Sequence, residues 1–208
     1  MMKLASRLGI FGGTFSPVHN GHVGAAKAFI ESGLIDKLLV IPTLIPPHKQ
    51  VVQAISASHR YQMLALAFET LCLDGRVEIC DYEIRKPSVS YTVETLEHFR
   101  PLCDEIKLLC GTDMFLSIDS WHRAEDIFKL CEIVYEKRSL RIEEDRLLAD
   151  KSIELTKLYD ARTQPLYLKQ VIDISSSKLR ELIAKGKDVS AYIDPKVEKY
   201  IKGNHLYE

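Results

Sequence analysis

Nothing in the bulk composition of this 208-residue chain is extreme, and each missing extreme removes a class of protein. Net charge is almost absent, with 28 Lys and Arg against 29 Asp and Glu. The chain therefore has no bulk attraction for nucleic acid or an anionic membrane, and any phosphate must be held by a few local cations. No run approaches the ~18 apolar residues of a membrane-crossing helix, and the first residues lack the pattern of a secretory signal. A soluble protein of the cytoplasm, with neither nucleic acid nor membrane as partner, is expected. The five cysteines, Cys72, Cys80, Cys103, Cys110 and Cys131, are odd in number and include no Cys-x-x-Cys pair. That speaks against a disulfide framework and against a structural zinc site. Cys110 and Cys131 lie in apolar runs and read as small core residues. No repeat, low-complexity tract or Gly/Ser linker marks a boundary. With 46% hydrophobic residues, one substantial core and a single domain over 1–208 are expected.

What is present is an alternation of strand-like and helix-like stretches. Strands are expected at Leu8–Phe11, Lys37–Ile41, Val77–Ile79, Ile106–Cys110 and Glu132–Tyr135, with a short one near Leu166–Tyr167. Helices are expected at Gly21–Ser32, Ser58–Cys72, Thr92–Arg100, Ala124–Lys129, Glu143–Leu158, Ser176–Ala184 and Pro195–Ile201. This order predicts an α/β fold: a Rossmann-like, doubly wound parallel sheet with helices on both faces and a small C-terminal helical appendage. Its ligand crevice would lie at the carboxyl ends of the strands, where Gly12–His22, Pro42–Lys49 and Gly111-Thr112-Asp113 all fall. The polar stretch Glu136–Arg146 reads as a solvated, mobile connection.

Two segments carry chemistry. In Gly12-Gly13-Thr14-Phe15-Ser16-Pro17-Val18-His19-Asn20-Gly21-His22, paired glycines at a strand end let a ligand approach the backbone and leave amides free to donate. Two histidines three apart at a helix start share one face, aimed at whatever the helix N-terminus attracts, and phosphate is its natural guest. Taken alone, the glycines could be an ordinary turn and the histidines half of a zinc site. In Ile174-Ser175-Ser176-Ser177-Lys178-Leu179-Arg180, the serines cap a helix and its first-turn amides form an anion site. Lys178 and Arg180 add positive charge that the helix dipole disfavours and a bound polyphosphate would offset.

The first segment resembles the Gly-Gly-x-Phe-Asp-Pro-x-His-x-Gly-His loop of the nucleotidyltransferase relatives of class I aminoacyl-tRNA synthetases, with Ser16 in place of Asp. The second resembles the Ile-Ser-Ser-Thr-x-(Ile/Leu)-Arg motif of bacterial nucleotidyltransferases, with Ser177 in place of Thr. Ile41-Pro42 with Pro46-Pro47-His48-Lys49, Arg60-x-x-Met63-Leu64, Ser90–Leu96, Gly111-x-Asp113 with Trp121, and Tyr192 through Tyr207 follow in the order seen in the nicotinate-nucleotide adenylyltransferases. That likeness implies adenylyl transfer from ATP to nicotinate mononucleotide with Mg²⁺, the metal held mainly by substrate phosphates. It implies His19, His22 and Arg180 as catalytic residues. ATP would meet Gly12, Gly13, Thr14, Phe15, Gly111, Asp113, Arg138, Ser175, Ser176 and Lys178. The mononucleotide would meet His48, Lys49, Thr92 and Trp121. Several residues keep a plainer reading beside this one. Phe15 and Trp121 would serve as core, Asp113 and Thr92 as helix caps, and His48 and Lys49 as ordinary loop residues. The family's Arg-Pro-Gly after the fifth strand is replaced here by Tyr135-Glu136-Lys137-Arg138-Ser139. Rival readings are a sibling enzyme using phosphopantetheine, nicotinamide mononucleotide or a cytidylyl donor, and a non-catalytic nucleotide sensor. A homo-oligomer is left open.

Overall fold

The computed structural model describes residues 3–45, 55–137 and 142–208. Six strands form one sheet: β1 (Ala5–Gly13), β2 (Lys37–Pro42), β3 (Val77–Ile79), β4 (Cys103–Cys110), β5 (Glu132–Lys137) and β6 (Thr163–Tyr167). All neighbours are parallel, in the order β3-β2-β1-β4-β5-β6. The central strand β1 pairs with β2 on one side (Ile10 opposite Leu39) and β4 on the other (Ile10 opposite Leu108). The strand order therefore reverses between β1 and β4, which opens a crevice beyond their carboxyl ends.

A central parallel strand is buried on both faces, so it reads as an unbroken apolar run whose alternate residues feed two cores. One core takes Phe11, Leu38, Val40, Leu109 and Val134 from the sheet. The other takes Leu8, Ile10, Leu39, Ile41, Leu108 and Ile133. Helices α1 (Asn20–Glu31) and α2 (Ala57–Cys72) cover the first face through Phe29, Met63, Leu64 and Phe68. Each such fully buried side chain contributes roughly 1.5–3 kcal/mol. Two short helices, α3 (Tyr82–Arg85) and α5 (Thr112–Leu116), were not expected; with four and five residues they are too short to show a helical period. The second face is covered by α4 (Thr92–Phe99), α6 (Ala124–Leu130) and α7 (Ile142–Tyr159). Helices α8 (Ser176–Ala184) and α9 (Pro195–Gly203), the expected appendage, close the first face with Leu179, Val197 and Ile201. Gly9 in mid-strand lets α1 and the chain before β2 approach closely. A Cβ there would sit 2.5 Å from Ile35 Cδ1 and 3.0 Å from Phe29 Cε1.

The two described ends of the stretch Glu136–Arg146 belong to regular elements rather than to the expected solvated connection. Glu136 and Lys137 complete β5, with Glu136 buried, and α7 begins at Ile142. The acidic residues Glu143, Glu144 and Asp145 fill the first turn of α7, where the helix dipole favours them. Residues 138–141 lie outside the described ones. Cys110 and Cys131 are buried free thiols, as expected of core residues, and burial pushes both thiols well above their ordinary range. Among the described residues no helix is long and apolar enough to cross a membrane.

Candidate active site

The loop after β1 sits at the reversal of strand order. Gly12 is exposed, and a Cβ there would meet nothing within 4 Å, so this backbone faces open space. At Gly13 a Cβ would come within 3.0 Å of the Phe15 ring. Phe15 is only 2% exposed and stacks edge-on against Phe11 and His22, with centroids 5.4 and 5.0 Å away. Its side chain is therefore core, as the plainer reading of it had it. The Phe15 backbone has φ 48°, a left-handed value rare outside glycine and held here by the packing of the ring.

His19 is the extended N-cap of α1 and His22 its third residue, so both histidines sit on the first turn as expected. The His19 backbone N–H donates to His22 Nδ1 at 3.2 Å, and the two rings lie 3.6 Å apart between centroids. With Nδ1 accepting, the neutral His22 ring carries its proton on Nε2, which makes that atom a donor. Gly21 leaves room for the His19 ring; a Cβ would press on Nδ1 at 3.0 Å.

The serine motif grips this same loop. Ser175 caps α8 by accepting from Lys178 N at 3.1 Å. The Ser176 hydroxyl donates to the Pro17 carbonyl at 2.9 Å. Arg180 donates from Nη1 to the Ser16 carbonyl at 2.6 Å and from Nη2 to Ser177 Oγ at 3.0 Å. The charge of Lys178 is shared with Glu181 at 3.0 Å, and Glu181 also takes Lys185 at 2.6 Å. Hydrogen bonds from Lys185 and Lys178 hold that carboxyl down to about 2. The first turn of α8 is thus less bare of acidic partners than the sequence suggests.

Arg60 joins the loop to the one after β2. It is 4% exposed and donates to the carbonyls of Thr14 (2.9 Å) and Leu44 (3.2 Å). Burial pushes its pKa down, yet a guanidinium stays charged at any physiological pH. The sequence holds a signal for this residue: Arg60 heads the apolar stripe Met63, Leu64 and Phe68 on α2, where a solvated arginine does not belong.

Across the crevice, Gly111 is the N-cap of α5 and Asp113 lies exposed in the first turn. Asp113 is therefore not a cap, and the plainer reading of it falls. The Thr112 hydroxyl donates to the Glu136 carbonyl at 3.2 Å, which fixes this turn to β5. Thr92 is not a cap either: Tyr91 holds that position, and Thr92 is the first residue of α4, where backbone amides lack an intrahelical acceptor. The Trp121 segment lies beside it. The His122 ring is 4.3 Å from Tyr91, Arg123 pairs with Glu97 at 2.6 Å, and the half-buried Trp121 packs on the second core. Ser90 accepts from Leu44 N at 3.0 Å and donates its own N–H to the Ile45 carbonyl at 3.0 Å. Beneath this turn Glu83 is buried and accepts from the Thr95 hydroxyl at 2.6 Å, while its Oε2 has no hydrogen-bond partner. The sequence did not single out Glu83. His48, Lys49 and Arg138 lie outside the described residues.

Among the described residues no group of three or more His, Cys, Asp or Glu side chains could hold a metal ion. What converges here is backbone amides, two helix N-termini, two histidines, the buried Arg60 and the half-buried Arg180, an environment suited to polyanions.

Residues 10–182 match a family described as Cytidylyltransferase-like. The chain is 34% identical over 203 residues to a probable nicotinate-nucleotide adenylyltransferase of Clostridium botulinum, covering 96% of this chain and 98% of that one. It is 34% identical over 204 residues to a protein of the same name from Caldicellulosiruptor bescii, covering 97% and 99%. In structure it is similar to the Plasmodium falciparum nicotinic acid mononucleotide adenylyltransferase complexed with NaAD. There the TM-score is 0.78 at 19% identity, with 97% of each chain covered.

Proposed function

We propose a function from one premise: this chain belongs to the cytidylyltransferase-like family and, within it, to the nicotinate-nucleotide adenylyltransferases. It transfers the adenylyl group of ATP to nicotinate mononucleotide, giving nicotinate adenine dinucleotide and pyrophosphate, a step of NAD biosynthesis. One observation carries the assignment of its site. Two helix N-termini, those of α1 and α8, are locked to a single glycine loop at the reversal of strand order.

The nucleophile is a phosphate oxygen of the mononucleotide, ionised at neutral pH, so no general base is needed. A bond forms from that oxygen to the α-phosphorus of ATP, and the α–β bridging bond breaks, its electron pair leaving with pyrophosphate. The barrier lies in bringing two polyanions together and in meeting charge at the α-phosphate and the leaving group. In our reading the backbone of Gly12, Gly13, Thr14 and Phe15 gives the triphosphate room. His22 Nε2–H and His19 donate to the α- and β-phosphates. Ser175, Ser176, Lys178 and Arg180 receive the triphosphate end, and Gly111 and Asp113 receive the ribose. Thr92 offers its amide to the pyridine carboxylate and Trp121 its ring face. His48, Lys49 and Arg138 keep the roles their resemblance implies.

Enzymes of this kind use a divalent metal. We take it to be Mg²⁺, which neutralises the phosphate charge when bound. Among the described residues the donors of this site are amides, hydroxyls and imidazoles rather than clustered carboxylates, so substrate phosphate oxygens would hold the ion with few protein ligands. We read the chain as one domain working in the cytoplasm. Incubating the purified protein with Mg-ATP and each mononucleotide, with products identified by mass, tests the assignment. Nicotinate adenine dinucleotide as the main product is expected, and its absence overturns the substrate.

A further inference from the structure

We propose that Tyr207 is a positioning residue for the phosphate loop, acting through Ser16. Ser16 Oγ and Tyr207 Oη form a hydrogen bond at 3.0 Å across 191 residues of chain. The loop residues 12–22 contain no Asp or Glu, so the loop itself supplies no carboxylate to the two arginines that grip its carbonyls. Arg60 holds Thr14 and Arg180 holds Ser16. The Tyr207 phenol lies within electrostatic reach of both.

The chain after α9 is shaped to deliver that phenol. His205 (φ 51°) and Tyr207 (φ 66°) both adopt left-handed backbone, which persists only where surrounding contacts dictate it. Between them Leu206 is 6% exposed, seated in the core under α1 and α2. Leu206 thus anchors the segment, and its neighbour is aimed at the loop. Burial keeps the phenol neutral by pushing its pKa well above the ordinary tyrosine range. It therefore orients Ser16 as a hydrogen-bonding partner without subtracting charge from Arg60 and Arg180. Both cations keep their field for an incoming triphosphate.

This proposal rests on the adenylyl-transfer reading, and its test separates the two. Tyr207→Phe keeps the ring and removes only the hydroxyl; Ser16→Ala removes the other half of the bond. Each is expected to lower kcat roughly 3- to 10-fold, with KM for the mononucleotide unchanged. The double variant should be no worse than either single one, and Ser16→Thr should restore near-normal turnover. Hydrogen exchange should quicken in the amides of residues 14–19 in both single variants and stay unchanged in β1 and β4. Additive losses, or unchanged loop exchange in Tyr207→Phe, overturn the proposal. If the parent protein makes no dinucleotide at all, the functional reading falls, and loop exchange alone decides the role of Tyr207.

Discussion

Arg180 Nη1 donates to the backbone carbonyl of Ser16 at 2.6 Å, joining residues 164 apart in sequence. The bond makes α8 a clamp on the loop as well as a source of charge. Arg180→Ala should therefore remove this charge-assisted hydrogen bond together with the one to Ser177 Oγ, a loss of about 1.5–3 kcal/mol, or roughly 10–150-fold in kcat/KM for ATP. Affinity for the mononucleotide should change little. Lysine should not rescue, because a single ammonium cannot serve both Ser16 O and Ser177 Oγ with the planar fork of guanidinium. Steady-state kinetics with each substrate varied in turn checks this; equal losses for both substrates would indicate a general structural defect.

The histidines make a second test, in which they behave differently. His22→Ala should lower kcat by roughly 10²–10³, about 3–4 kcal/mol, with little change in Tm. His19 is 4% exposed and packed over Gly21, so its ring is part of the packed fold as well as of the crevice. His19→Ala should cost both turnover and about 1–2 kcal/mol of stability. Nitrogen-detected NMR of the free protein should show His22 as the Nε2–H tautomer; an Nδ1–H signal would remove it as the proposed donor.

Much of this was legible in sequence because the signals are local. The apolar runs of β1, β2 and β4 announce themselves over a few residues, and Val77–Ile79 and Ser176–Ala184 have the bounds expected of them. The site's outer residues were legible as motifs. The contacts that hold the motifs together were not. Arg60 to Thr14, Arg180 to Ser16 and Tyr207 to Ser16 are long-range bonds whose partners are backbone carbonyls or single hydroxyls, and a carbonyl has no sequence signature. Glu83 escaped notice for a related reason: a carboxylate in an unremarkable polar stretch reads as solvated until a short helix buries it.

The acceptor pocket should discriminate between the two mononucleotides. A backbone amide such as that of Thr92, aimed at a carboxylate, faces an NH₂ group when nicotinamide binds instead. That mismatch should cost about 1.5–3 kcal/mol, or roughly 10–150-fold in kcat/KM. Trp121→Ala should weaken both substrates alike, since ring stacking ignores the substituent, and leave their ratio nearly unchanged. A ratio near one in the parent protein would mean that no such amide reads the carboxylate.

Glu83 makes the stability of the fold depend on pH in a direction opposite to that of a paired surface carboxylate. Burial raises its pKa above the ordinary range of a glutamate, opposed in part by the Thr95 and Ser90 hydroxyls and by Lys86, which itself pairs with Glu94. The neutral carboxyl is the form the folded protein prefers. Its contribution to stability is therefore complete below the unfolded pKa and is lost as pH rises through the higher folded value. Glu83→Gln keeps an acceptor for Thr95 and has nothing to titrate. Relative to the parent, the variant should gain in Tm as pH rises from about 4 to 8, while the two converge or reverse at the acid end. Thermal melts across that range measure it directly. A difference in Tm that stays flat with pH would mean Glu83 titrates normally in the folded state, and a difference that shrinks as pH rises would mean its charged form is the one the fold holds.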